Sequence, residues 1–257
     1  MDYTRALVRA PTANFALGLT QSAEGAPQLE LALLQHRRYC EALRSCGLQL
    51  TELAPDPAFP DGTFVEDTAL LFPGFAVLTR PGAESRRGET TSTLAGLQHF
   101  FEHIATIEAP GTIDGGDVCV VERQVYIGLS ARTNEAGAAQ LAAVLRVHGY
   151  GANLIDIRGS TTLLHLKSGL TYLGDRLMVV SPDAPRPELV DGFDFIELDD
   201  RESYAANCLA INDRVLIAAG YPDLADKLAK RGHRVVALEI SEFRKMDGGL
   251  TCLSLRF

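Results

Sequence analysis

The chain has 257 residues, 46 % hydrophobic and 22 % charged, with a formal net charge of −9. That balance excludes an intrinsically disordered chain, and its 23 Gly and 12 Pro, scattered without period, exclude a collagen-like or coiled-coil rod. The acidic excess, with no basic stripe, argues against a nucleic-acid partner and is compatible with a cationic small-molecule substrate.

In chain order, TRALVRA at the N-terminus is a candidate strand, and the region lacks the uninterrupted apolar run of a signal peptide. A helix is predicted from about Pro27 to a stop at Gly47, followed by the strand-like GLQLTEL. FVEDTALLFPGFAVLTRPG then reads as two apolar strands across a tight break, before the helix TTSTLAGLQHFFEH. The same phrase returns as GGDVCVVERQVYIGLS, with the helix NEAGAAQLAAVLRVHG and the strand GYGANLIDI after it. HLKSGLTYLGDRLMVVSP is the third copy, and its helix, PRPELVDG, is weakened by two prolines. The fourth copy is AANCLAINDRVLIAAGYP, leading into PDLADKLAKRG and GHRVVALEI. A fifth begins at Asp247 with GGLTCLSLRF and lacks its second strand. No stretch approaches the ~20 apolar residues of a membrane span. The five cysteines, an odd number without CxxC spacing, predict free thiols in a reducing, cytoplasmic compartment.

The polar residues heading the copies are Asp67, Asp117, Lys167, Asn207 and Asp247, and the missing strand of the last copy can come from TRALVRA. Five ββαβ modules of this kind predict an α/β fold closed into a ring, a five-bladed α/β propeller of pseudo-symmetric modules. Residues 1–257 then form one domain, its last blade completed by the N-terminal strand. Strands alternating with helices at this spacing also fit an ordinary doubly wound sheet.

Equivalent modules bring Glu66 and Asp67, Asp114 and Asp117, His165 and Lys167, Asn207, and Cys252 with Asp247 to one end of an axis. Cys252 follows DGGLT, where glycines leave room beside the thiol, so it is either a nucleophile or a small buried core residue. His165, beside an apolar strand, is either a proton carrier or a satisfied core histidine. Cys40, Cys46, Cys119 and Cys208 read as packing. His99 and His103 share a predicted helix face at i, i+4, a metal-ligand spacing without an evident third ligand. Glu66 and Asp67 suit a cation, and Arg86 with Arg132 could fork a carboxylate, or both pairs are ordinary charge clusters. Together they describe a zwitterionic ligand. Phosphate loops, the G-x-S-x-G elbow and kinase signatures are missing.

FPDGTFVEDTALL, LTRPGAESRRGE, APGTIDGGD, YIGLSARTNEAG, LHLKSGL, SYAANC and KMDGGLTCLSLRF resemble, in order and spacing, the dimethylarginine dimethylaminohydrolase family. The resemblance runs from ALVRAP to the terminal LRF. It implies a propeller of the guanidine-modifying, amidinotransferase superfamily. The implied activity is hydrolysis of asymmetric dimethylarginine or monomethylarginine to citrulline and an amine, with no metal or organic cofactor. By position, Cys252 matches the nucleophile, His165 the general acid/base and Asp114 the carboxylate partnered with that histidine. Asp61, Glu66, Asp67, Arg86 and Arg132 match substrate contacts, while Leu19 and Met246 match backbone contacts to the amino-acid end. Leu19 lies in TANFALGLTQSAEG, a loop the family uses as a lid. The related arginine deiminases carry His-x-Asp where this chain has His165-Leu166-Lys167, which implies poor use of free arginine. A deiminase or amidinotransferase activity, and a noncatalytic methylarginine binder, are the rival readings. Outer surfaces of such folds can form homodimers, and no patch in this sequence is diagnostic.

Overall fold

The computed structural model describes residues 2–185 and 192–257. The weakened helix expected over PRPELVDG lies outside the described residues, apart from its two ends. Elements follow the phrases of the sequence. Strand β1 (Arg5–Arg9), helix α1 (Leu29–Ser45) and strand β2 (Gln49–Leu53) come first. Next are β3 (Ala69–Phe72), β4 (Phe75–Leu78), α2 (Glu89–Leu97) and β5 (Ile104–Thr106). The following unit is β6 (Val118–Val121), β7 (Gln124–Leu129), α3 (Glu135–Val147) and β8 (Gly151–Asp156). A one-turn helix α4 (Leu166–Gly169) leads into β9 (Leu170–Gly174), β10 (Leu177–Val180) and β11 (Asp194–Glu197). The last elements are β12 (Leu209–Ile211), β13 (Arg214–Ala218), α5 (Pro222–Lys230), β14 (Arg234–Leu238), α6 (Ser241–Arg244) and β15 (Leu255–Arg256).

These strands form five separate three-stranded sheets. In each, the central strand (β1, β4, β7, β10 or β13) pairs antiparallel with one neighbour and parallel with the other. The central strands carry the continuous apolar runs and are buried almost throughout, as FAVL of β4 and LMVV of β10 are. The parallel outer strands β2, β8 and β14 are half-exposed and more polar. One sheet is built from both chain ends, with β1 against β15 at Ala6–Arg256 and Leu7–Leu255.

The expected five-bladed propeller requires correction. Among the described residues, strand pairing stops at the edges of each small sheet, and no sheet is closed or curled into a barrel or propeller. The repeat of ββαβ units is what the apolar periodicity encoded; the closure inferred from it is not in the hydrogen-bond ladders. What joins neighbouring sheets is side-chain packing, with β9 lying beside both β6 and β12, and β3 beside β15.

Two local expectations also change. The helix predicted through HFFEH ends at Leu97, and Phe100 and Phe101 turn to pack on Phe257 with ring centroids 5.1 and 5.2 Å away. His103 is therefore off the helix, and the shared face with His99 does not form. Of the residues expected to head the first strands, Asp67, Asp117 and Lys167 sit instead on short helical turns before them (Val65–Thr68, Gly115–Asp117 and α4). Asn207 directly follows the turn Ser203–Ala206, and Asp247 lies between α6 and the turn Thr251–Leu253. Helix stops behave as read, with Gly47, Gly149 and Gly232 all at left-handed φ. Among the described residues, no helix is long and apolar enough to cross a membrane.

Candidate active site

The short helical turns meet one another: Val65–Thr68 contacts both Gly115–Asp117 and Thr251–Leu253, while α4 contacts Gly115–Asp117 and Ser203–Ala206. Residues distant in sequence thereby share one pocket. Cys252 and His165 line it together, with Leu19, Asp61, Asp67, Arg86, Arg132 and Met246. Tyr39 on α1 pins the chain on both sides of Cys252, donating its hydroxyl to Leu250 O at 3.0 Å and lying 2.6 Å from Ser254 Oγ.

His165 is buried and flanked by carboxylates. Its Nδ1 lies 3.4 Å from Asp117 Oδ2, and its Nε2 lies 3.9 Å from Asp114 Oδ2. The closer carboxylate is thus Asp117, not the Asp114 that the resemblance pairs with it. Asp117 is itself fixed, accepting from Ser130 Oγ at 2.6 Å, Thr133 Oγ1 at 2.7 Å and Leu166 N at 3.1 Å. Asp114 Oδ1 accepts from Gly82 N at 2.8 Å, while its Oδ2 is buried without a partner among the described residues. Burial disfavours the charged imidazole, but Asp117, Asp67 and Asp114 outweigh it and push the His165 pKa up to about 9. Burial and the Asp67 charge raise the pKa of Asp114. Asp67 is driven down despite its burial, because His165 and Arg86 are cationic neighbours.

Ligand atoms of Asp67, Asp114 and His165 lie within 4.8 Å of one another, a grouping that could hold a metal ion. A metal would have to displace the proton of the imidazolium and compete with Arg86, whose Nη1 already donates to Asp67 Oδ2 at 2.6 Å. The cluster is therefore charge-balanced by its own side chains.

A glycine holds the histidine in place. A Cβ on Gly116 would fall 2.8 Å from Cγ of His165, and its amide donates to Asp67 Oδ1 at 2.9 Å. Gly116→Ala is expected to push the imidazole off its carboxylates, destabilising the fold by about 1–3 kcal/mol. Citrulline formation should fall about a hundredfold. Thermal unfolding and initial rates, read together, check both parts.

The acidic residues of the FVED turn are already partnered. Glu66 accepts from Lys167 Nζ at 2.6 Å, Thr251 Oγ1 at 2.7 Å and Arg256 Nη2 at 3.3 Å. Asn207, named in the sequence without a role, ties this floor together. Its Oδ1 accepts from Thr251 N and its Nδ2 donates to Lys167 O. The two arginines differ sharply. Arg86 donates to Glu89, Asp67 and Phe64 O, committing four of its five N–H groups. Arg132 lines the pocket, and its guanidinium has no hydrogen bond among the described residues. Glu89 was not singled out in the sequence, although its i, i+3 spacing to Arg86 was a readable signal.

In the same pocket, both carboxylate oxygens of Asp61 accept from Leu19 N, at 3.0 and 3.2 Å. Burial raises the pKa of Asp61, against Arg86 and the Leu19 amide. The loop after Leu19 lies on the segment that follows α6. Thr20 Oγ1 donates to Lys245 O, Gln21 N donates to Asp247 Oδ2, and Glu24 pairs with Arg244 at 2.7 Å. Asp247 holds its contact from a left-handed φ of 57°, uncommon for a non-glycine residue.

Cys252 is half-buried, and its Sγ accepts from Gly249 N at 3.4 Å. Burial, reinforced by Glu66 and Asp67, pushes the thiol pKa up to about 12, so it is protonated at neutral pH. Cys40, Cys46, Cys119 and Cys208 are free and fully buried, with thiols raised chiefly by burial. A thiol, an imidazolium and several carboxylates around one pocket can carry nucleophilic attack on a cationic carbon centre.

The family model for N,N dimethylarginine dimethylhydrolase, eukaryotic, matches residues 20–253. The chain is 45 % identical over 253 residues to the N(G),N(G)-dimethylarginine dimethylaminohydrolase of Pseudomonas aeruginosa, covering 98 % of each. It is 38 % identical over 258 residues to that of Streptomyces coelicolor, covering 100 % of this chain and 98 % of the relative. Among solved structures, a dimethylarginine dimethylaminohydrolase adduct with S-methyl-L-thiocitrulline superposes with a TM-score of 0.95 at 43 % identity, over 99 % and 100 % of the two chains. A cysteine-to-serine mutant of the Pseudomonas aeruginosa enzyme complexed with citrulline gives 0.96 at 42 % identity over the whole of both.

Proposed function

The chain belongs to the dimethylarginine dimethylaminohydrolase family, and from that premise we propose how its own residues carry out the reaction. The activity is hydrolysis of Nω-methylated arginines to citrulline. Supporting the mechanism is one observation above the rest: Cys252 and His165 line one pocket together with the carboxylates of Asp61, Asp67 and Asp247. Carboxylates beside a thiol and an imidazole suit a guanidinium cation held against the nucleophile.

A guanidinium is resonance-stabilised and resists water, so a strong nucleophile is needed. In the free protein burial, reinforced by Glu66 and Asp67, keeps the Cys252 thiol protonated. A bound cation reverses that field and favours thiolate. The Cys252 sulfur attacks the guanidinium carbon, His165 protonates the departing amine, and a thiouronium remains on sulfur. The same imidazole then takes a proton from water as it attacks; the C–S bond breaks, and citrulline leaves. Asp117, anchored by Ser130 and Thr133, faces the Nδ1 side of the imidazolium as an ion pair at 3.4 Å, which suits Nε2 to the reaction. Arg132 suits the substrate carboxylate, with the remaining N–H of Arg86, while Asp61 and the backbone at Leu19 and Met246 suit the ammonium end. Leu19 near one end of the chain and Cys252 near the other line the same pocket, which supports one catalytic unit.

Free arginine is expected to be a poor substrate. Lys167, which donates to Glu66, stands at the sequence position where the related deiminases carry an aspartate, so that second carboxylate is not offered to the unsubstituted nitrogen. The additional N–H groups of arginine gain no charged acceptor there, and a charge-assisted hydrogen bond contributes about 1.5–3 kcal/mol. The kcat/KM for arginine should therefore lie about tenfold to a hundredfold below that for dimethylarginine. Measuring citrulline and the released amine for both substrates tests the proposal; equal rates, or ammonia as the main amine, contradict it.

A further inference from the structure

We propose that the cavity of about 270 Å³ against Cys252 and His165 is a subsite for small alkylammonium ions, and that an amine entering it exchanges with the amine of the substrate. This rests on the hydrolytic reading above and adds to it a second activity and an order of product release.

Two cavities meet at Leu164, His165, Asp247 and Cys252. The smaller, of about 30 Å³, carries the residues suited to the amino-acid end of the substrate: Leu19, Asp61, Arg132 and Met246. None of those four lines the larger one. A group leaving the carbon at Cys252 therefore has room on the side away from the amino acid.

The lining of the larger cavity suits an organic cation. Ser181 Oγ, in a residue only 6 % exposed, has no hydrogen-bond partner among the described residues and lies in its wall. Asp183, two residues on, has no ion-pair partner among the described residues. Asp247 contributes a second carboxylate, engaged by the Gln21 amide rather than by a cation. The three basic residues in the lining are already paired, Arg244 with Glu24 at 2.7 Å, Lys167 with Glu66 at 2.6 Å and His165 with Asp117 at 3.4 Å. The surplus of charge is negative, and the buried hydroxyl supplies a neutral acceptor for an N–H.

Chemistry then sets the order. While the amino acid is joined to sulfur, the amine must depart and water must arrive. The cavity permits both with Leu19 still bonded to Asp61 and the loop still resting on Asp247. By the same route an added amine reaches the thiouronium carbon. The ammonium first gives one proton to the neutral imidazole of His165, and the freed nitrogen lone pair forms the new C–N bond. The C–S bond breaks with its electrons returning to the Cys252 sulfur, and the second nitrogen proton passes to that sulfur, restoring the thiol. The product is a substituted arginine, with no redox partner required.

The experiment incubates the whole protein with asymmetric dimethylarginine and deuterated dimethylamine, then examines the unreacted substrate by mass spectrometry. The expected result is deuterated methyl groups in the remaining dimethylarginine. Ser181→Leu, which fills the cavity, should remove that label and lower kcat about tenfold while KM stays within about twofold. Asp183→Asn, at an exposed position, is the second variant should Ser181→Leu not fold, and it should cut labelling about threefold. Citrulline formation without label in the wild type, or labelling untouched by the folded variants, overturns the subsite. Absence of citrulline altogether instead sinks the hydrolytic reading on which it rests.

Discussion

Cys252→Ser is expected to lower citrulline formation from dimethylarginine at least about a thousandfold, with substrate affinity kept within a few-fold. The reasoning is electrostatic. A thiol raised to about 12 by burial, Glu66 and Asp67 ionises only when a cation is brought beside it. A serine hydroxyl is far less acidic and does not reach the anionic form even then. Binding survives because Asp61, Arg132 and the backbone at Leu19 line the same pocket and remain when the sulfur is replaced. Isothermal titration with dimethylarginine, beside initial rates, separates the two quantities. A loss of binding equal to the loss of rate would show that Cys252 shapes the pocket rather than attacks.

The second large effect is at His165. His165→Gln should cost about 10²–10⁴-fold in rate, the range for removal of a positioned acid/base. The wild-type pH profile carries the finer test. At neutral pH both the thiol and the imidazole hold a proton, and attack requires a thiolate with the imidazolium kept as acid. One proton must leave the pair, so kcat/KM should climb about tenfold per pH unit and level near the His165 midpoint of about 9. Asp117→Asn removes the nearest carboxylate and should move that rising limb to lower pH. An unmoved limb would assign the titration elsewhere. Stability follows the opposite sign. With the folded pKa above the ordinary 6.5, the contribution of His165 is full below that value and is lost as pH rises through about 9.

The repeat was legible because every module buries its central strand on both faces, leaving unbroken runs such as FAVL and LMVV between turn residues. Helix ends were legible where a left-handed glycine followed, as at Gly47, Gly149 and Gly232. The closure into a propeller inferred from the repeat is not found among the described residues; periodicity counts modules but carries no information on whether one ladder continues into the next. HFFEH misled for a tertiary reason: its phenylalanines leave the helical pattern to cover Phe257, which lies at the far end of the chain. In the site, the meeting of Cys252 and His165 in one pocket was legible through motif context. Which carboxylate lies nearer the imidazole was not, since Asp114 and Asp117 flank the same two glycines and only the helical turn at Gly115–Asp117 separates their directions. Arg86 similarly looked like a free cation until Glu89 and Asp67 occupied it.

The central claim is a covalent bond between Cys252 and the amidine carbon. Acid quenching of wild-type protein during turnover of dimethylarginine, followed by intact-mass measurement and peptide mapping, tests it directly. The predicted result is an added mass equal to substrate less dimethylamine, located on Cys252 and missing from Cys252→Ser. A full rate of citrulline formation by Cys252→Ser, or an adduct mapped to any other residue, would contradict it.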